Sequence, residues 1–467
     1  MRLNDDRVLK SAVRYADYLY DTFGPGKDRK WACDHPEIEL ALVELYRTTG
    51  DKKYLEFARH ILDQLNANGG WVKPINPGEP EVKFIRRKEL FGHAVRNLYM
   101  ASGASDIWAE TGDWNFGRTV ERLWENLVQR KMYITGGLGS RQAGEIIGLN
   151  FELPNLLACA ETCAAIAFVF WNHRNLQVTG EPRYADYLER SLYNGVISGI
   201  SLDYTKYFYE NPLASLGDRR RVEWYDCTCC PSNMVRLLGS ITGYFYSTSP
   251  EGIWVHLYDA GTAQIVLPDG RRVRIVQETE YPNDGRVKMT VEPADEARFA
   301  VHLRIPNWAE KVTVKINGKS VKTRFQPNRY LSLDRVWKKG DTIELILPMT
   351  VRAVACDPRV LDNYQRAVLM RGPLVYCLES TDNPGLPSVF QGAIRSGFSA
   401  QMTTVRGFKP SIPAIRLKGL CLKTSDVLYH PLGKHGKPKP AALTAIPYYA
   451  WANRGDSQMA VWIPVSK

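Results

Sequence analysis

Three short stretches repeat one turn between helical segments, and they constrain the fold more than any other feature. They are "TTGDKKYLEFA" (48–58), "ETGDWNFGRTV" (110–120) and "VTGEPRYADYL" (178–188). In each, Thr-Gly-Asp or Thr-Gly-Glu separates two apolar-periodic runs. The glycine suits a left-handed helix end, and the acid suits the start of the next helix, where the helix dipole favours negative charge. The turns lie 62 and 68 residues apart. Helical hairpins at that period predict a toroid or a solenoid of α-hairpins. The hexapeptide "RYADYL" occurs at 183–188, after such a turn, and again at 14–19, so the chain is expected to begin in the middle of a repeat.

Beyond residue 250 the hydrophobic period changes from between three and four to two. "GIWVHLY", "RVRIVQETEY", "RFAVHLRIP" and "TIELILPMTV" read as strands, with "INGK" (316–319) as a hairpin turn. The expected organisation is a helical domain over 1–248, a β-sandwich over 249–352, and a second β-rich, sandwich-like module over 353–467. A chain of 467 residues accommodates two or three domains.

Composition removes several function classes. The net charge of +11 suggests nucleic acid, but residues 401–467 carry ten Lys and Arg against two acids, +8 of the total, partly in the turn-rich loop "HPLGKHGKPKP". This is a solvated basic segment, not a nucleic-acid surface. No run of 18 apolar residues predicts a membrane span, and "MRLNDDRVLKSAVRYADYLY" lacks the apolar core of a secretion signal. A reduced, cytoplasmic location is expected, and an odd count of nine cysteines argues against a disulfide framework.

Three of those cysteines crowd into "WYDCTCCPSN" (224–233), as Cys227, Cys229 and Cys230. "ACAETCAAI" adds Glu161 and Cys163. Thiolates with a carboxylate make a tetrahedral zinc site, and two separate clusters of small buried thiols is the alternative. Glu161 and Cys163 can converge only if a helix starts between them, with Thr162 as its N-cap. Pro231 is expected to keep Cys230 out of helical geometry. The Gly-rich "YITGGLGSRQAGE" (133–145) lacks the ending of a phosphate loop, so it reads equally as a loop delivering Glu145 to a pocket. His35 and His93 sit at helix starts, where a structural role is the alternative to a functional one. The 12 Trp and 24 Tyr suit sugar faces as well as cores.

Together, "HPEIELALVELYRTTGD", "GHAVRNLY", "RKMYITGGLGS", "AETCAAIAFVFW", "RYADYLERSLYNGV", "YFYENPL", "CTCCPSN", "RGPLVYCLE" and "PYYAWANRG" resemble glycoside hydrolase family 127, the β-L-arabinofuranosidases. The resemblance implies an (α/α)6-type barrel, incomplete at the N-terminus here, followed by β-sandwich modules. It implies exo-acting, retaining removal of terminal β-L-arabinofuranosyl residues, or a related sugar, from an oligosaccharide or glycoconjugate. Position by position, Cys229 matches the nucleophile and Glu145 the acid/base. Glu161, Cys163, Cys229 and Cys230 match the Zn2+ ligands, and His93, Tyr209 and His35 the sugar-binding residues. Cys227 has no counterpart role. An open barrel face would favour association into a homodimer. A non-catalytic, N-terminally shortened sugar-binding or structural remnant keeping the zinc site is the alternative.

Overall fold

A computed structural model of the chain describes residues 6–29, 35–64, 83–322, 325–425, 427–429, 431 and 436–466. Much of the basic loop "HPLGKHGKPKP" lies outside them. The first half is helical: α1 (Arg7–Phe23), α2 (Ile38–Thr49), α3 (Lys52–Gln64), α4 (Ala94–Thr111), α5 (Trp114–Arg130), α6 (Thr162–Thr179), α7 (Pro182–Ser191) and α8 (Cys229–Leu238). No helix among the described residues is long and apolar enough to cross a membrane.

The predicted turns form as read. Gly50, Gly112 and Gly180 all adopt positive φ, and each returns its N–H to the carbonyl four residues back. The threonine of each turn has a part that periodicity does not reveal. Its Oγ accepts the N–H of the following acid at 3.2 Å in all three copies. These turns make hairpins of α2 with α3, α4 with α5, and α6 with α7. Helices α2, α4, α6 and α8 pack in succession as an inner row.

Sequence explains which helices go inside. α4 and α6 bury residues on every side, including Asn97, Ser102, Ser105, Asn172 and Asn175. Part of this polar set bonds locally: Ser105 Oγ donates to Asn175 at 2.7 Å, and Trp171 Nε1 donates to Ser105 at 3.0 Å, while Asn97 Oδ1 and Asn175 Nδ2 stay buried without a hydrogen-bond partner. Small residues let the row close up. A Cβ at Gly103 would lie 2.7 Å from Glu39 Cβ on α2. α5 instead alternates buried and exposed positions, as an outer helix does, whereas α7 has no exposed residue and packs toward the module that follows.

Next come a six-stranded and a four-stranded sheet. One apolar core is shared between them, from Ile253 and Val255 to Val287, Val301, Trp337 and Leu345. It is joined to the helices through Arg304, which is fully buried and paired with Asp186 and Glu189 of α7, the latter at 2.5 Å. Tyr281 also donates to Glu189, at 2.6 Å. Burial pushes Asp186 up to about 7, against the attraction of Arg304. Arg304→Met leaves two carboxylates in a dry interface, so a loss of about 3–5 kcal/mol is expected in chemical denaturation. A loss under about 1 kcal/mol, the value of an exposed pair, would contradict this reading.

The last module departs from a second sandwich. Strands Arg366–Arg371, Ile463–Ser466, Gly392–Arg395, Ile412–Cys421, Lys439–Pro447 and Leu374–Glu379 pair in that order, and the last pairs back with the first. The sheet therefore closes into a six-stranded barrel. Alternation sends Leu369, Tyr376, Ile394, Ile415 and Leu443 into one core and Val368, Val375, Cys377, Ala414 and Ile446 into another. A two-residue period announces strands but does not say whether they stack or close. The second core holds the site in place. It is completed by Tyr133, Ala158, Ala160 and Phe208 from loops of the helical half.

Candidate active site

The inner helices place chemistry at one end of their row. His93 is the N-cap of α4, Glu161 the N-cap of α6, and Cys229 the first residue of α8. Three helix N-termini thus face a group of carboxylates and thiols, and their positive ends favour the ionised forms. The helix starts differ from expectation in detail. Glu161, not Thr162, is the N-cap, and Thr162 Oγ instead donates to Phe208 O at 2.7 Å. Cys230 and Pro231 both lie within the first turn of α8, where a proline's missing N–H costs nothing. Convergence still follows, because Glu161 leaves α6 as an extended residue while Cys163 lies within its first turn.

Backbone pairing fixes the other partners. A short antiparallel pair sets His93 opposite Ile146, next to Glu145. Residues 208–211 are stitched to 159–162: Thr162 N–H donates to Tyr209 O, and Asn211 Nδ2 to Ala160 O, both at 3.0 Å. Behind them Phe208 stacks on Trp451 of the barrel module at 5.0 Å. Glu145 and Ala160 hold left-handed backbone (φ 53° and 39°). Such residues cost about 1–3 kcal/mol each and persist where surroundings enforce them.

Glu145 is gripped on both oxygens. Oε2 lies 2.7 Å from His93 Nε2, and Oε1 accepts from Tyr209 OH at 2.6 Å. His93 Nδ1 accepts the Arg96 N–H at 3.5 Å, which leaves the imidazole proton on Nε2, facing the carboxylate. His93 first, and then Tyr209, hold Glu145 below the usual carboxylate range. Its carboxyl also lies against Glu161. His35 packs its ring edge-on to His93, 5.9 Å between centroids, and beside Tyr99.

Glu161, Cys163, Cys229 and Cys230 offer ligand atoms that all lie within 4.8 Å of one another. Cys163 and Cys230 sulfurs are 3.5 Å apart, and those of Cys229 and Cys230 3.8 Å. Glu161 Oε1 is 3.6 Å from Cys229 and 3.9 Å from Cys230. Zn–S bonds of about 2.3 Å at tetrahedral angles set sulfurs about 3.8 Å apart, so these four separations fit edges of a zinc tetrahedron. The electrostatics ask for a cation too. Burial, then the charges of Glu145 and Cys229, push Glu161 well up. Contacts with Cys229 and Cys230 push Cys163 up, while the same cluster draws Cys230 down to about 5. Glu161 Oε2 is buried without a hydrogen-bond partner. Four such groups keep their charge together only around a positive ion.

Several residues escaped the sequence reading. Asn233 donates to Cys163 Sγ at 3.1 Å and accepts from Tyr99 OH at 3.0 Å, orienting a thiol from behind. Tyr225 meets Tyr209 edge-on at 5.7 Å. Both stand in "WYDCTCCPSN", yet a lone Asn or Tyr carries no spacing signal. Cys227 is exposed, with its sulfur 3.7 Å from that of Cys229, outside the four-ligand group. All eight described cysteines are free.

Comparison with known proteins agrees with this architecture. Residues 3–243 match the family description "Beta-L-arabinofuranosidase, GH127 catalytic domain", 252–349 its middle domain, and 351–464 the family 127 C-terminal domain. The chain is 34% identical to the non-reducing end beta-L-arabinofuranosidase of Bifidobacterium longum subsp. longum, over 98% of this chain and 75% of that protein. It superposes on the crystal structure of a GH127 beta-L-arabinofuranosidase from Geobacillus stearothermophilus T6 with a TM-score of 0.90 and 36% identity, covering 99% of this chain and 77% of that one. A further structure, described only as a glycoside hydrolase, matches with a TM-score of 0.90 and 34% identity, over 99% and 80% of the two chains.

Proposed function

This chain belongs to glycoside hydrolase family 127 and is a glycoside hydrolase acting on carbohydrate; on that premise we propose that it removes terminal β-L-arabinofuranosyl residues with retention, through Cys229 and Glu145. The observation that carries this reading is the junction of two groups. Glu145 lies against Glu161, and Glu161 lies 3.6 Å from Cys229. A retaining glycosidase needs a nucleophile and an acid/base close together around one anomeric carbon. Glu161, Cys163, Cys229 and Cys230 would hold zinc, which when bound keeps the thiols as thiolates. Cys229 Sγ attacks the anomeric carbon while Glu145 gives its proton to the departing oxygen. Glu145 then takes a proton from water, which displaces the sulfur and frees the sugar. His93, Tyr209 and His35 line this pocket and bind sugar hydroxyls. We read the helical half as part of an (α/α)6-type toroid and the paired sheets as a β-sandwich. A non-catalytic remnant is not favoured, because the chain keeps both a thiol and a carboxylate of the kinds a double displacement needs, Cys229 and Glu145.

The test is stereochemical. With an aryl β-L-arabinofuranoside, the first-formed sugar followed by NMR is expected to be the β-anomer. An α-anomer first, or no release, would overturn the proposal. A pH profile checks Glu145. Tyr209 OH helps hold its pKa down, so Tyr209→Phe lets it rise. An acid catalyst must be protonated for the first step, and a higher pKa keeps it so to higher pH. The alkaline limb of kcat/KM is therefore expected to move upward in Tyr209→Phe, and an unmoved limb would remove Glu145 from the acid role.

A further inference from the structure

A cleft of about 430 Å³ lies where the barrel module meets the helical half, lined by Asn155, Asp362, Tyr364, Arg366, Phe390 and Trp462. Its volume falls within the range of small-ligand sites, about 300–1,000 Å³. It is a different place from the active site. The Asn155 carbonyl accepts the Leu213 N–H at 3.0 Å, and the Cys159 carbonyl accepts the Asn211 N–H at 3.1 Å. The cleft therefore sits at the far end of the two paired segments that carry Glu161 and Tyr209. Two polar atoms of its lining residues are left over. Trp462 is 5% exposed and Asn155 9%, and neither Trp462 Nε1 nor Asn155 Oδ1 has a hydrogen-bond partner. Asn155 Nδ2 is already engaged, donating to Asn363 Oδ1 at 2.8 Å. Buried donors and acceptors without partners are rare, and one of each beside a single cleft calls for a ligand that offers both. Two charged groups also keep capacity. Arg366 Nη1 donates to the Trp462 carbonyl at 3.2 Å, and Asp362 Oδ2 accepts the Asn155 N–H at 2.9 Å. A guanidinium has further N–H groups, and a carboxylate has a second oxygen.

We propose that this cleft is a second, non-catalytic binding site and that it takes a neutral sugar ring. A hydroxyl both donates and accepts, so one polyol answers the Trp462 N–H and the Asn155 oxygen together. Vicinal hydroxyls suit the charged pair, one accepting from Arg366 and the other donating to Asp362. Tyr364 and Phe390 supply aromatic surface for the C–H groups of the ring. An anion would meet Asp362 and a cation would meet Arg366, whereas a neutral ligand satisfies both. No group of the double displacement takes part, so the site stands or falls apart from the arabinofuranosidase reading.

The test reads the cleft itself. The full chain, purified without chelator, is labelled with fluorotryptophan, and the fluorine NMR line lost in Trp462→Phe identifies Trp462. The probes are L-arabinose, D-glucose and D-glucuronate, the last carrying a carboxylate where glucose has a hydroxymethyl group. L-Arabinose or D-glucose is expected to move the Trp462 line saturably. Tyr364 is 59% exposed, so its truncation spares the core. In Tyr364→Ala the Kd read from the Trp462 line is expected to weaken about fivefold, as loss of one ring contact predicts. A line unmoved by both neutral sugars overturns the proposal, as does an equal Kd in Tyr364→Ala. Tighter binding of D-glucuronate than of D-glucose overturns it as well. A Trp462 line that moves on dilution of the protein alone, while its mass falls from dimer to monomer, puts a second copy of the chain in the cleft and also overturns it. Failure to cleave an arabinofuranoside counts against the proposed reaction and leaves this Kd comparison to decide the cleft.

Discussion

Cys229→Ser is expected to lower kcat on an aryl β-L-arabinofuranoside by on the order of 10⁴-fold, with the fold intact by circular dichroism. The replacement keeps the size of the side chain and the position of its β-carbon at the start of α8. What it removes is chemistry. A thiol beside a bound metal ion becomes an anion near neutral pH, and a serine hydroxyl does not. Oxygen is also a poorer partner than sulfur for a thiophilic ion. Cys227 provides the internal control. Its sulfur lies 3.7 Å from that of Cys229 and outside the ligand group. If it substituted as nucleophile, Cys229→Ser would retain a substantial fraction of the activity, and only Cys227→Ser/Cys229→Ser would lose it. Near-wild-type turnover in Cys229→Ser would refute the assignment.

Cys230→Ala is expected to be the most damaging change to metal content and to stability together. Metal analysis of the wild type, purified without chelator, should give about one zinc per chain, against a clearly substoichiometric value in the variant. Cys230 is fully buried and faces Cys163 at 3.5 Å and Cys229 at 3.8 Å. Removing it leaves Glu161 and two thiols crowded without the fourth donor. Glu161 is then expected to bind a proton in place of charge neutralisation by metal, and the N-termini of α6 and α8 lose their common anchor. The loss of stability should reach several kcal/mol, and a chelator should reproduce it in the wild type. Full zinc occupancy in Cys230→Ala would show that the four donors are not its ligands.

How much of this was readable in advance depends on whether the signal is local. The Thr-Gly-acid turns are local, so the hairpins and their order follow from sequence. The threonine bond to the N–H two residues on recurs at 3.2 Å in all three copies. The thiol and carboxylate residues were also legible as two clustered stretches, "CTCCPSN" and "AETC", although buried small thiols could account for each stretch by itself. Joining those two stretches was not a matter of spacing. They are 66 residues apart from Cys163 to Cys229, and family resemblance supplied what the residues left open between a zinc site and separate thiol clusters. The closure of the last module into a barrel was hidden for the same reason. It depends on Arg366–Arg371 meeting both Leu374–Glu379 and Ile463–Ser466, and nothing within a strand encodes the distant partner.

The central claim is that Cys229 carries the sugar between the two half-reactions, and mass spectrometry addresses it most directly. Wild-type protein is mixed briefly with an activated aryl β-L-arabinofuranoside, quenched in acid, digested and sequenced. The account predicts one pentosyl unit on the peptide spanning residues 224–233, at Cys229, and none in Cys229→Ser. A pentosyl group on Glu145, Glu161 or Cys227, or turnover with no covalent sugar at any time, would contradict it.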